Sequence, residues 1–225
     1  MGRVLVISGT DTEVGKTFVG AALVRRLVDQ GFDTLAVKPV ESGVGAEVGE
    51  GEDGVILAAA ARQKSPTQAL QRLRAPIAPP DAADLEKVKL EFDKWVGQIR
   101  GWAKMHDLVV VEGAGGLLSP LTWTQTALSL AERLDARVLL VASDKLGTIN
   151  HTLLCMEVLE RHNVELAGIV LSAPRDVDRS TGRNLAALAK FTGFRRMTSV
   201  PGMDSWERAA PIMDVVIPWI FEDIS

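Results

Sequence analysis

Residues 9–17 read GTDTEVGKT and follow the apolar run VLVIS at residues 4–8. We read the stretch as a phosphate loop of the G-x-x-x-x-G-K-[ST] kind. It is set between a buried strand, Val4–Ser8, and a helix, Lys16–Gln30, that Gly31 stops. Glycines let backbone amides curl around phosphate oxygens, and the following helix N-terminus adds its partial positive charge. Lys16 can reach the outer phosphates, and the Thr17 hydroxyl can ligate Mg²⁺. A chance glycine-rich turn before a helix accounts for the glycines but not for the motif and its context together.

Working outward, short β-branched runs alternate with helical patterns. Strands are predicted at Thr34–Lys38, Leu108–Val111, Val138–Ala142, Leu166–Leu171 and Met197–Val200. Helices are predicted at Val55–Gln63, Asp84–Lys104, Thr124–Leu134, Thr148–His162 and Arg179–Phe191. The stretch APIAPPDAAD, residues 75–84, reads as a Pro-rich loop. This alternation predicts an α/β fold of the P-loop NTPase-like kind. It would be a single domain over residues 1–225, with a mainly parallel sheet and helices on both faces. Residues 42–53 are rich in Gly and Glu, lack an apolar period, and read as a mobile loop long enough to suggest function. Ligands of such folds gather at the carboxyl ends of the strands, where the informative residues fall.

The chain has 225 residues, enough for such a domain to bury its core without staples. Its 25 basic and 29 acidic residues leave a net charge of −4, which gives no reason to expect a nucleic-acid or membrane partner. No apolar stretch is long enough to span a bilayer, and the short run after Met-Gly-Arg does not make a signal peptide. Cys155 is the one cysteine, which excludes an internal disulfide and fits a reducing cytoplasm. Within an apolar helix it reads as a small core residue. His106, His151 and His162 show no metal-ligand spacing. Trp95 and Trp102, on one helical stripe, read as core packing.

Glu112 follows the apolar strand and opens EGAGG. Two readings stand: a carboxylate for Mg²⁺ beside the phosphate loop, or a solvated strand end before a glycine turn. Asp53 opens a helix, as a second metal acid or as a plain N-cap. Most lysines are solvated, but Lys38 ends an apolar strand, where it can meet phosphate or an anionic intermediate. Ser42 by itself is an ordinary loop serine. In KLGTINH, Lys145–His151, amides at Gly147, Thr148 and Ile149 with the Asn150 side chain can take a carboxylate; a simple helix start is the other reading.

Five blocks occur in the order and spacing of dethiobiotin synthetases: GTDTEVGKT, VKPVESG at 37–43, the EDG around Asp53, VVVEGAGG at 109–116, and KLGTINH. The chain resembles that family over nearly its whole length. The resemblance implies an ATP-dependent ligase of biotin biosynthesis. Such an enzyme joins CO₂ to 7,8-diaminopelargonic acid through a carbamate and a carbamic–phosphoric anhydride. It implies ATP with Mg²⁺ held by Thr17, Asp53 and Glu112, and charge stabilisation by Lys16 and Lys38. Nucleotide contacts are implied for Glu13, Val14, Gly15, Lys16, Thr17 and Phe18, for Asp53, and for Glu112, Gly113, Ala114 and Gly115. Ser172, Pro201, Gly202 and Met203 would surround the base. Substrate contacts are implied for Thr12 and Ser42, and for Gly147, Thr148 and Asn150, the last three from a partner subunit at a homodimer interface. No side chain need act as a covalent nucleophile; positioning and electrostatics suffice.

The sequence departs from the family in places. Ser172 stands where an asparagine commonly reads adenine, and serine lacks the paired amide geometry. The chain has no tyrosine to meet the substrate carboxylate; Asn184 lies near the aligned position. Asp81 stands where a histidine is common. Other classes fit less well. Switch ATPases with a related loop carry a second lysine five residues before the motif lysine, and here that residue is Asp11. Corrinoid-amidating ligases resemble the phosphate-loop half but carry a glutamine-amidotransferase domain, for which 225 residues leave no room. A small-molecule kinase would release a phosphorylated rather than a cyclised product.

Overall fold

The computed structural model describes residues 2–222. In chain order the elements are β1 (Arg3–Gly9), α1 (Lys16–Asp29), β2 (Thr34–Val37), β3 (Val40–Ser42), α2 (Asp53–Ala61), β4 (Gln71–Leu73), α3 (Pro79–Glu86), α4 (Phe92–Trp102) and β5 (Leu108–Gly116). Then come α5 (Ala127–Leu134), β6 (Arg137–Ser143), α6 (Thr148–Arg161), β7 (Leu166–Ser172), α7 (Asn184–Thr192), β8 (Met197–Val200) and α8 (Trp206–Ala209). A 3₁₀ turn (Ala210–Val215) and α9 (Ile217–Phe221) follow. Six strands form one sheet in the order β2-β5-β1-β6-β7-β8, and every pairing in it is parallel. A second, two-stranded parallel sheet joins β3 to β4.

The strands are apolar throughout because both faces are covered. Leu5, Ile7, Leu108, Val110, Leu139 and Val141 face α1, α2 and the C-terminal helices. Val6, Val109, Val111 and Val138 face α4 and α5, and Leu140, Ala142, Ile169 and Leu171 face α6 and α7. Trp95 is buried, Trp102 packs partly against the same core, and Cys155 is half-buried there.

Several boundaries differ from the sequence reading: α2 begins at Asp53 rather than Val55, and α5 at Ala127 rather than Thr124. The helix expected over 84–104 is two helices, and the first begins inside the Pro-rich stretch. Pro79 and Pro80 occupy its opening turn, where a missing N–H costs nothing. Lys87 then adopts a left-handed conformation and ends it. Residues 179–183 make a turn rather than the start of α7. The strand predicted over Leu108–Val111 runs on to Gly116, carrying the EGAGG segment into the sheet.

Candidate active site

The loop after β1 is one residue longer than the G-x-x-x-x-G-K-[ST] pattern, since five residues separate Gly9 from Gly15. Two left-handed positions accommodate the extra residue, Glu13 at φ 53 and Gly15 at φ 91. Gly15 caps α1, so the free amides at the start of this helix face the loop. A side chain at Gly15 would come within 2.6 Å of Ser172 Oγ, so glycine is required by approach as well as by φ. Val14 is buried, Phe18 packs against the core beneath, and Asp11, Thr12 and Glu13 are exposed. The Asp11 carboxylate accepts the Thr12 amide at 2.7 Å.

Below the loop four side chains meet. The Lys38 ammonium donates to Asp53 Oδ2 at 2.7 Å, to Glu112 Oε1 at 2.6 Å and to the Gly113 carbonyl at 3.3 Å. The Thr17 hydroxyl lies 2.7 Å from Asp53 Oδ1 and 2.9 Å from Glu112 Oε1. Lys38 is 3% exposed and Glu112 fully buried, so this is a desolvated ionic cluster rather than a surface ion pair. The solvated reading of Glu112 and Lys38 is thereby excluded. So is the N-cap reading of Asp53: it is the first helical residue of α2, Glu52 precedes it as N-cap, and its carboxylate turns to Thr17 and Lys38.

Electrostatics follow from that burial. Burial favours a neutral Lys38, but Glu112 and Asp53 outweigh it and hold the ammonium above the ordinary lysine range. Asp53 is also desolvated, yet Lys38 pulls its carboxyl below the usual value. Glu112 is pushed up by burial, which exceeds the pull of Lys38. Lys16 is lowered, again by burial first; its ammonium donates to the Asp11 carbonyl at 2.9 Å.

The donor set fits Mg²⁺. Glu112 Oε2 is buried without a hydrogen-bond partner, and a second anionic oxygen and a hydroxyl stand beside the same carboxylate. Among the described residues no group of three His, Cys, Asp or Glu side chains gathers. Mg²⁺ does not need one, since it takes one or two carboxylates together with substrate phosphates and water.

The other expected residues are distributed around this cluster. Gly113, Ala114 and Gly115 continue β5; Gly115 has φ 69 and lies beside Thr12. Ser42 ends β3. Ser172 ends β7 against Gly15, and Pro201–Gly202–Met203 follows β8, with Gly202 lying beside Ala173. The Lys145–Asn150 segment stands beyond β1 from Lys38, at the end of β6. There Gly147 and Asn150 are exposed, while the Thr148 amide is used by the Lys145 carbonyl and its hydroxyl is buried. Asn184, near the aligned tyrosine position, is buried and donates to Asp144 Oδ1 at 2.7 Å.

Sequence reasoning missed two residues here. Glu41 of β3 is buried, and its carboxylate accepts the amides of Asp53 at 2.6 Å and Gly54 at 3.0 Å. Arg72 of β4 grips Glu52 through two nitrogens, at 2.7 and 2.6 Å, and donates to the carbonyls of Gly45 and Glu47. The loop expected to be mobile is therefore fastened, and Glu52 within its acidic run is buried. A single charged residue between Val40 and Ser42 gives no sequence signal of such a role. Replacing Arg72 by Met should speed cleavage after Glu47 or Glu50 by a glutamate-specific protease about tenfold or more, the scale of a lost charge-assisted pair. Cleavage at the wild-type rate would show that the clamp does not hold the loop.

A parallel sheet with a phosphate loop after its first strand, and a buried glutamate and lysine with a second acid below that loop, defines a P-loop nucleotide-binding protein. Solved structures agree on the fold. The chain is similar to the septum site-determining protein MinD of Pyrococcus horikoshii, described as complexed with Mg-ADP, at TM-score 0.57 and 17% identity, covering 98% of this chain and 87% of that one. It is also similar to a ParA family ATPase of Chlorobium tepidum at TM-score 0.59 and 14% identity, covering 99% and 100%. A family model described as an AAA domain matches residues 3–210. ATP-dependent dethiobiotin synthetase of Anaeromyxobacter dehalogenans is 42% identical over 91% of each chain. That of Caulobacter sp. strain K31 is 39% identical over 92% of this chain and 91% of its own. The chain belongs to the dethiobiotin synthetase family.

Proposed function

We propose that the chain makes dethiobiotin from 7,8-diaminopelargonic acid, CO₂ and ATP, as one ligase domain spanning residues 1–225. The observation that carries this reading is the Thr17–Lys38–Asp53–Glu112 cluster beneath the phosphate loop, built on buried Lys38 and Glu112, in a chain of this family. One amine adds to CO₂ and loses a proton to give a carbamate. A carbamate oxygen attacks the γ-phosphorus and ADP leaves. The second amine attacks the anhydride carbon, loses a proton, and inorganic phosphate departs as the ring closes.

Lys16 and Lys38 offset the charge that builds on the phosphoryl group and the carbamate. Thr17, Asp53 and Glu112 are assigned to Mg²⁺; when bound, the ion would supply positive charge against the phosphates. Glu13, Val14, Gly15 and Phe18 are assigned to the nucleotide with Gly113–Gly115, and Thr12 and Ser42 to the diamine substrate. The substrate carboxylate is assigned to the exposed Gly147 and Asn150 of a second copy, while Thr148, whose amide is taken by the Lys145 carbonyl and whose side chain is buried, is left to shape the turn. Leu146 is 81% exposed beside that segment, which supports its burial in a homodimer, testable by light scattering. Among the described residues no helix is long and apolar enough to cross a membrane, and the one cysteine supports a cytoplasmic setting.

The deciding test supplies purified protein with MgATP, bicarbonate and the diamine and follows ADP and organic product by mass spectrometry. Dethiobiotin in step with ADP is expected. ADP that forms without the diamine would replace this reading with a switch ATPase. Ser172, Gly202 and Met203 are assigned to the base, and a serine hydroxyl packed on Gly15 cannot pair with adenine as an amide does. CTP and GTP should therefore support turnover within about tenfold of ATP, the scale of one neutral hydrogen bond. Strict ATP dependence would remove Ser172 from that role.

A further inference from the structure

We infer that Glu41 is a positioning residue for the metal carboxylate Asp53. The inference rests on the assignment of Asp53 to Mg²⁺. Asp53 is the first residue of α2, and a helix start leaves its first amides without partners inside the helix. Residues at an N-cap usually satisfy them, but Glu52 makes no side-chain cap here. Glu41 supplies the missing acceptors from another strand. One oxygen takes the Asp53 amide and the other the Gly54 amide, so the carboxylate spans the opening of the helix.

Two further contacts make that position rigid. Gly54 is pressed against the chain before β4: a Cβ there would fall 2.3 Å from the Ala69 nitrogen. Arg72, on the strand that pairs with Glu41's own, grips Glu52 immediately before Asp53. The β3–β4 pair thus acts as a bracket. It holds the backbone on both sides of Asp53 and leaves the Asp53 side chain directed at Thr17 and Lys38. Val40 and Leu73 anchor the pair in the core, which fixes the place of Glu41 and Arg72 beside them. Glu41 itself touches neither Thr17 nor Glu112 through any recorded hydrogen bond; it acts through Asp53.

Outer partners of metal ligands typically cost about 10–100-fold in metal affinity when removed. The test uses the full chain with Mn²⁺ as probe. Free Mn²⁺ is followed by its paramagnetic resonance signal while metal is titrated against protein and ADP, and ADP binding in EDTA is measured alongside. Glu41→Ala should weaken Mn²⁺ binding about tenfold or more and leave metal-free ADP binding within about twofold. Glu41→Gln keeps the size and one acceptor, guards against failure of the first variant to fold, and should fall between. In turnover, the Mg²⁺ needed for half-maximal rate should rise by the same factor, while the rate at saturating Mg²⁺ largely recovers. Mn²⁺ binding within twofold of wild type in both variants overturns the inference. So does an equal loss of metal-free ADP binding, which marks a merely structural role. Because the binding arm needs no diamine, failure of the proposed reaction and failure of this inference are read separately.

Discussion

Lys38→Met should lower turnover about a hundred- to a thousandfold, the range for removing one charge-stabilising donor, and should also lower thermal stability. The two effects share one cause. Lys38 is the cation that Glu112 and Asp53 share, and Glu112 is fully buried. Removing one partner of a buried pair costs about 3–5 kcal/mol because the other charge is left uncompensated. For a chain of this size that corresponds to a fall in Tm of roughly 10 °C.

The loss should depend on pH, with a definite sign. Burial already raises the Glu112 carboxyl, and without Lys38 it rises further. Between its unfolded and folded values the native state then binds more protons than the unfolded one, so stability falls as pH rises. The variant's deficit should be smallest near pH 5 and larger at pH 8. Calorimetric scans at both pH values, with turnover at saturating MgATP, check this. Turnover within tenfold of wild type would remove Lys38 from the reaction; a deficit that does not grow with pH would mean Glu112 is compensated from elsewhere.

Lys16→Ala should lose turnover on the same scale and keep its stability. Lys16 is buried too, but its recorded hydrogen bond goes to a backbone carbonyl, and desolvation works against its charge. Deleting it removes a burial penalty along with one hydrogen bond, so the net change in stability should stay within about 1 kcal/mol. The affinity for MgATP should fall sharply, because the outer phosphates lose their cation. A variant that binds and turns over ATP normally would sink the assignment, and one that unfolds would show that Lys16 is structural. Two lysines, both needed for activity and only Lys38 for stability, separate the ionic cluster from the phosphate loop.

The parts of this site legible in the sequence were those whose chemistry coincides with a strand end. Lys38 follows three apolar residues and Glu112 four, and such runs are read easily as buried strands. Gly15-Lys16-Thr17 is marked by residue type, whereas the left-handed conformation that Glu13 takes in the longer loop is not. The bracket was invisible. Val40–Ser42 and Gln71–Leu73 are three residues each, too short for any period, and their pairing spans a separation that no local pattern encodes. The break within 84–104 has no such mark, because it is made by backbone hydrogen bonds from Lys87 and Val88 to the carbonyls of Asp84 and Ala83, at a left-handed position that neither glycine nor asparagine signals.

The strand order has a consequence for how the protein comes to exist. β2 does not pair with β1, the strand made before it; β5 lies between them. While the chain is being synthesised, β2 therefore has no neighbour in the sheet until residues 108–116 have been made, although its last residues are in place by Val37. Lys38 waits through that interval without Glu112. The nascent chain carries an unpaired apolar strand edge for some seventy residues of synthesis, and contacts of such separation are slow to form and exposed to aggregation meanwhile. The same insertion that brings Lys38 to Glu112 makes the first hundred residues a poor fragment, dependent on protection until β5 arrives.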